Sequence, residues 1–209
     1  MAVTLKWLGH ASFRIAGDGE VVYIDPWKLS ESPHDATVVL VSHSHYDHYS
    51  AEDIAEVSGA GTKTIGPSDV IAQEGKGQSI KPGETVTVGS IKVTGVASYN
   101  PAKQFHPKAN NWLGFIIEIG SKRIYYAGDT DMTDEMKALG DIDVALLPVG
   151  GTYTMNAKEA AAAVDAIGPK RAIPYHWGDI VGEQSDAEQF SRTANCEVIV
   201  LQPGRSVDL

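Results

Sequence analysis

Val38-Val39-Leu40-Val41-Ser42-His43-Ser44-His45-Tyr46-Asp47-His48 is the stretch on which the fold turns. Four apolar residues run without a break into H-x-H-x-D-H. The run Thr37–Ser42 is continuously apolar at its centre, the pattern of a strand covered on both faces. In extended chain, residues two apart point the same way at about 6–7 Å. His43 and His45 can therefore converge on one ion at roughly 2.0–2.1 Å per Zn–N bond. Asp47 and His48 follow as the strand breaks into a turn and face a different point. The spacing reads as two ligands for one metal and two for a neighbour, and two-metal hydrolytic sites hold their ions about 3.5–4 Å apart. Chance alone gives this motif in roughly five of ten thousand chains of such composition. A solvated polar loop is therefore the weaker reading.

Working outward, other residues supply what a two-metal site lacks. Asp129, in Tyr126-Ala127-Gly128-Asp129-Thr130, sits where a strand turns into a loop. A carboxylate there can bridge two ions; the plainer alternative is a helix cap. His176, in Ile173-Pro174-Tyr175-His176-Trp177-Gly178, ends another short apolar strand and is a further metal candidate, against a reading as a core histidine. His10 follows Gly9 just after a strand, and either lines the site, donates to a substrate oxygen, or serves structure alone. Asp25 is similarly placed and suits an orienting role toward a ligand histidine. His34 lies in a polar Ser-Pro loop and reads as solvated.

The surroundings fit a layered α/β chain. Strands are expected at Val3–Leu8, Ser12–Ile15, Val21–Ile24 and Thr62–Ile65, and a hairpin at Thr85–Val88 and Ile91–Val96. Further strands are expected at Leu113–Ile119, Arg123–Ala127, Val144–Leu147, Ala172–Tyr175 and Glu197–Leu201. Helices are expected at Ala51–Val57 capped by Ser50, Ser68–Glu74 capped by Ser68, Thr133–Leu139, Ala157–Ile167 capped by Asn156, and Asp186–Thr193. Hairpins early and strand–helix alternation later favour two mixed sheets with helices outside.

Composition narrows the class. The 209 residues hold 17 Lys and Arg against 27 Asp and Glu, a net charge of −10, so broad nucleic-acid binding is not expected. One cysteine, Cys196, excludes an internal disulfide and leaves the metals to nitrogen and oxygen. No run approaches the ~18 apolar residues of a membrane span. The start, Met1–His10, lacks the pattern of a signal peptide, so a cytoplasmic protein is expected. The whole of 1–209 reads as one domain.

These residues together resemble the metallo-β-lactamase superfamily over nearly the whole chain. Trp7-Leu8-Gly9-His10-Ala11-Ser12-Phe13, Ile24-Asp25-Pro26, the His43–His48 motif, Gly128-Asp129-Thr130 and Pro174-Tyr175-His176 occur in the family's order. The small size and the stretch Leu147–Met155 look most like the small-hydrolase branch, which includes ascorbate-6-phosphate lactonase and N-acylphosphatidylethanolamine phospholipase D. The resemblance implies a four-layer αββα sandwich with the metals at one edge between the sheets. It implies that His43 and His45 bind the first metal, that Asp47, His48 and His176 bind the second, and that Asp129 bridges. One position departs: after Ile91–Val96 the family supplies another first-metal histidine, where this chain reads Ala97-Ser98-Tyr99-Asn100. His106 is the favoured substitute, with Asn100 or water as the competing readings.

The chemistry expected is hydrolysis of an ester, lactone or phosphodiester by a metal-bound hydroxide, with two divalent ions, Zn before Mn or Fe. Asp47 is the expected orienter of the nucleophile or proton relay, His10 a further catalytic candidate, and Tyr153 either a substrate contact or an ordinary loop residue. A mononuclear iron-dependent sulfur oxygenase, or a metal-binding protein without catalysis, are the alternatives. Between Thr85 and Ile117 there is no carboxylate, while Lys92, Lys103 and Lys108 are present. That local +3 suggests a small anionic substrate. Some members of the family are oligomers, and the sequence leaves a homo-oligomer open.

Overall fold

The computed structural model describes residues 2–209. Two seven-stranded sheets face each other. The first is built from β1 (Thr4–Gly9), β2 (Ser12–Gly17), β3 (Glu20–Ile24), β4 (Ala36–Leu40), β5 (Ser58–Gly66) and β6 (Gln78–Ser79). The second holds β7 (Thr85–Val88), β8 (Ile91–Ala97), β9 (Leu113–Ile119), β10 (Lys122–Tyr126), β11 (Val144–Pro148), β12 (Arg171–Tyr175) and β13 (Glu197–Val198). The last strand, β14 (Ser206–Asp208), returns to the first sheet beside β1, giving the order β14-β1-β2-β3-β4-β5-β6 against β13-β12-β11-β10-β9-β8-β7. Among the described residues four α-helices accompany the sheets: α1 (Ala51–Val57), α2 (Ser68–Glu74), α3 (Ala157–Ile167) and α4 (Gln184–Thr193). This is the expected sandwich of two mixed sheets flanked by helices.

Each sheet is antiparallel in one half and parallel in the other. Strands β3 to β6 run parallel in the first sheet and β10 to β13 in the second. The alternation of apolar residues in β1 and β2 buries Leu5, Trp7, Phe13 and Ile15 completely. The continuous apolar runs of β9, β11 and β12 fill the space opposite. Near one end of this core Phe13 packs edge-on against Tyr126 and Tyr175, which stack on each other at 5.0 Å. A second cluster of Val39, Val41, Ile54, Val57 and Val70 lies under α1 and α2.

Most expected elements are present, with three differences. The Thr133–Leu139 helix is a single 3-10 stretch, Asp134–Ala138, with no side-chain cap at its start and no left-handed closing residue at Leu139, unlike α2, which ends on Gly75. Ser68 is not the cap of α2: Pro67 takes that place in extended backbone and offers no side-chain acceptor. The last expected strand shortens to Glu197–Val198, and the chain beyond it crosses over to add β14 beside β1. Asn156 caps α3 in a full capping box with Glu159, and Ser50 caps α1 through Asp53 N, as expected.

The fold places chemistry at one rim. β1, β3 and β4 point one way in the first sheet, and β8, β10 and β12 share a direction in the second. His10 follows β1, Asp25 follows β3, His43 to His48 follow β4, His106 follows β8, Asp129 follows β10 and His176 follows β12. Ligand sites of α/β sheets commonly lie beyond the carboxyl ends of their strands.

Candidate metal centre

Six of the seven histidines converge where the two rims meet. His43, His45 and His106 bring their ring nitrogens within 4.8 Å of one another. His48, His176, Asp47 and His10 form a second group within the same limit, and Asp129 stands between the two. Its carboxylate oxygens lie 3.2 Å from His48 Nε2, 3.1 Å from His176 Nε2 and 3.5 Å from His106 Nε2. His34, the seventh histidine, is exposed with Nδ1 beside the Ser58 carbonyl, as its sequence context suggested.

The ring nitrogens are sorted by the bonds on their far sides. Asp25 is wholly buried and accepts at Oδ2 from the Ser42 hydroxyl, from Tyr126 OH and from His48 Nδ1, each at 2.6 Å. Its Oδ1 accepts from Ser42 N at 2.7 Å. The Ser42 hydroxyl has spent its proton on Asp25, so at 2.9 Å it accepts from His43 Nδ1. One carboxylate therefore fixes a ring in each group and leaves both Nε2 atoms facing the centre. Asn100 does the same for His106, accepting from its ring Nδ1 at 2.7 Å and its backbone N at 3.1 Å. Asn100 Oδ1 is thereby committed to His106. Asn100→Ala is expected to weaken retention of one ion by about 10–100-fold, since outer partners of ligand histidines carry that much. Titration of the first ion by calorimetry checks it, and unchanged affinity would dismiss the role.

These donors fit a metal on the structure's own terms. His48 Nε2, His106 Nε2, His176 Nε2 and Asp129 Oδ1 are buried and make no hydrogen bond. Buried polar atoms without partners cost about 1–3 kcal/mol each and are rare in native proteins. Here they lie close together but unaligned, as atoms do when they share a central target. Nitrogen and carboxylate oxygen are the donor set of Zn, Mn and Fe.

Electrostatics follow from burial and charge. Burial holds the His43 ring well below the usual imidazole range and takes His106 down to about 4, so both are neutral donors at neutral pH. Burial also lowers His48, but Asp129 and Asp25 outweigh it and raise that ring well above its ordinary value. A metal held at Nε2 would take the place of that proton. Burial raises the Asp129 carboxyl, and the flanking His176 and His48 more than offset this, holding it well below the carboxylate range. Asp47 is likewise lowered: burial pushes it up, and the His10 bond and His48 pull it further down. His10 Nε2 meets Asp47 Oδ2 at 3.0 Å, and burial keeps His10 below the ordinary imidazole value.

The backbone at this rim is unusual. His10, Asp25 and His176 take φ of 47°, 43° and 63°, the left-handed region that non-glycine residues seldom adopt. Each thereby turns its side chain inward directly after a strand. Gly128 at φ 71° precedes Asp129 and has no room for more: a Cβ would lie 2.6 Å from Ser98 Oγ.

Several residues escaped the sequence reading. Trp112 packs on His43, His45 and His106 with ring centres 4.9, 4.8 and 5.6 Å away. Asp69 holds it, accepting from Trp112 Nε1 at 2.8 Å and from Ser44 Oγ at 2.7 Å. Tyr126 reaches Asp25 from the opposite sheet, and Trp27 lies 5.2 Å from His10. None carries a local signal, because each acts on residues far away in sequence. Tyr153 contributes its carbonyl to Asn100 and its ring to Phe105.

The local +3 expected to favour an anionic substrate does not persist in the fold. Lys103 pairs with Asp131 at 2.5 Å, Lys108 with Glu135 at 2.7 Å and Lys92 with Glu118 at 3.0 Å. All three carboxylates lie beyond the carboxylate-free stretch, so the fold neutralises what the sequence left bare.

Residues 4–176 match the beta-lactamase superfamily domain. The chain is 34% identical to a UPF0173 metal-dependent hydrolase of Methanopyrus kandleri, over 98% of this chain and 99% of that one. It is also 34% identical to a UPF0173 metal-dependent hydrolase of Pyrococcus abyssi, over 99% and 100%. Among solved structures, a Parabacteroides distasonis chain superposes with TM-score 0.83 at 30% identity, covering 96% of this chain and 94% of that one. Igni18, a metallo hydrolase from Ignicoccus hospitalis, superposes with TM-score 0.81 at 25% identity, covering 100% and 99%. Among the described residues, no helix is long and apolar enough to cross a membrane.

Proposed function

The chain belongs to the beta-lactamase superfamily, and we propose that it is a hydrolase working with two divalent metal ions. The reading is carried by the buried, unbonded His and Asp atoms that face two adjoining centres. His43, His45 and His106 would hold one ion and His48, His176 and Asp47 the other, with the Asp129 carboxylate between the two groups. The relatives' names, metal-dependent hydrolases, support it. Zn is the first choice, with Mn and Fe tolerated by the same donors.

Bound divalent ions lower the pKa of water from 15.7 to about 7 and polarise a scissile oxygen. The chain's own residues do the rest. Asp47 would orient the attacking water, and His10 Nε2, 3.0 Å from Asp47 Oδ2, would steady that carboxylate. The buried rings of His43, His48 and His176 line the centre and exclude bulk water. The bond cleaved is an ester, lactone or phosphodiester in a small substrate. With the three lysines paired, what would attract a substrate anion is the pair of dications.

The test is metal analysis of purified protein joined to turnover of phosphodiesters, lactones and thioesters after reconstitution with Zn, Mn or Fe. Two ions per chain and turnover of at least one class are expected. Full metal loading with no turnover of any class would remove the hydrolase reading.

A further inference from the structure

A cleft of about 410 Å³ opens directly beside His10. Leu8, Trp27, Trp177 and Pro203 line it with apolar surface, and His10 closes its inner end. Its two walls come from opposite sheets: Trp27 lies on the loop after β3 and Trp177 on the loop after β12. Lys28 Nζ and Asp179 Oδ2 join those loops at 2.8 Å, so the charged groups on the two walls pair with each other. Lys28 also caps the Trp27 ring at 4.1 Å. Trp177 is anchored behind by Trp7 at 4.8 Å, and Trp27 touches His10 at 5.2 Å.

The exposed apolar residues tell the same story. Among the described residues the large hydrophobics left in solvent are Tyr46, Phe105 and Ile180, at 69%, 45% and 43% exposure. Every one sits on a loop that also carries a candidate ligand. Tyr46 lies between His45 and Asp47, with its ring 6.1 Å from Trp27. Phe105 precedes His106. Ile180 follows Asp179 of the cleft wall, in left-handed backbone at φ 65°. Among the described residues the other large apolar side chains are buried or half-buried, so this rim is where large apolar surface is left uncovered.

We propose that the cleft beside His10 binds an uncharged alkyl or aryl group of the substrate, next to the bond held at the metal centre. The inference rests on the two-metal reading above and adds the part of the substrate that the ions do not touch. His10 stands between the two regions, with one edge to the cleft and Nε2 on Asp47. The substrate so defined is amphiphilic: a polar scissile group at the metals and an apolar arm in the cleft.

The probes are methyl-, butyl- and octylphosphonate, whose C–P bond is not a substrate for hydrolysis, titrated calorimetrically into zinc-loaded protein. Each fully buried methylene is worth roughly fourfold in affinity. With a half-open cleft, an overall gain of about tenfold or more from methyl to octyl is expected. Trp27→Ala is expected to flatten the series, and Trp27→Phe to keep most of it. A flat series in wild-type protein, or equal slopes in wild type and Trp27→Ala, would overturn the proposal. Sedimentation at several concentrations adds another arm: self-association abolished by Trp27→Ala together with a flat series assigns the surface to a second copy and also overturns it. The two readings fail separately. Turnover with a flat series removes the cleft and keeps the hydrolase, whereas a steep series with no turnover keeps the cleft and removes the hydrolase.

Discussion

Asp129→Ala is expected to lose both metal ions together, whereas His106→Ala and His176→Ala lose one each. Asp129 reaches His48, His176 and His106, which belong to different groups of donors, within 3.5 Å. Removing it takes an acceptor from both centres, while either histidine serves one. An ion present at 1,000 times its dissociation constant stabilises the fold by about 4 kcal/mol. In a chain of this size 1 kcal/mol moves the unfolding midpoint by about 2–4 °C. Each lost ion should therefore lower Tm by roughly 8–16 °C, and Asp129→Ala by the sum of two. Turnover should fall by more than about 100-fold, beyond the loss of an outer partner alone. Metal content by emission spectroscopy and thermal unfolding read both effects. Two ions retained in the Asp129 variant would show that the bridging role is misassigned.

Asp25→Ala carries the second large effect, through stability. Its carboxylate accepts from Ser42 N, Ser42 Oγ, His48 Nδ1 and Tyr126 OH, all in a fully buried setting. Truncation strands four donors at about 1–3 kcal/mol each, although relaxation and entering water recover part of it. A loss of at least about 4 kcal/mol is expected, a large share of the 5–15 kcal/mol that holds a domain together. Asp25→Asn separates charge from volume. It keeps the shape but presents an NH₂ group to rings and hydroxyls that are themselves donors. Urea unfolding measures the first effect and metal affinity the second. An Asp25→Asn protein with an unchanged midpoint and full metal loading would show that the shared carboxylate orients nothing.

The site was legible where chemistry follows a strand end within a few residues. The H-x-H-x-D-H motif, Asp129 and His176 all have that local signature, and the fold brings them together. His106 was harder, because an eight-residue excursion separates it from β8 and only Asn100, at its root, reveals which way the ring faces. Asp25 could be suspected from its position, but its reach to both groups runs through Ser42 and could not. Trp112 and Asp69 were illegible, since their link joins residues 43 positions apart. The lysines misled for the same reason: a window of sequence shows charge, while pairing depends on carboxylates from β9 and the segment around Asp134–Ala138. In the fold, periodicity found the strands of both sheets, whereas the two-residue β6 and the late β14 are too short to leave a pattern.

The left-handed backbone at His10 and His176 has a bearing on how the protein would respond to selection. A non-glycine residue in that region costs on the order of 1–2 kcal/mol, which glycine does not incur. Both rings are buried, and losing one costs about 2–5 kcal/mol of packing, more than the torsional gain of glycine. A library screened for heat resistance in metal-free medium should therefore tolerate other bulky side chains at both positions but not glycine, whereas the same library screened for activity with metal present should keep the histidines.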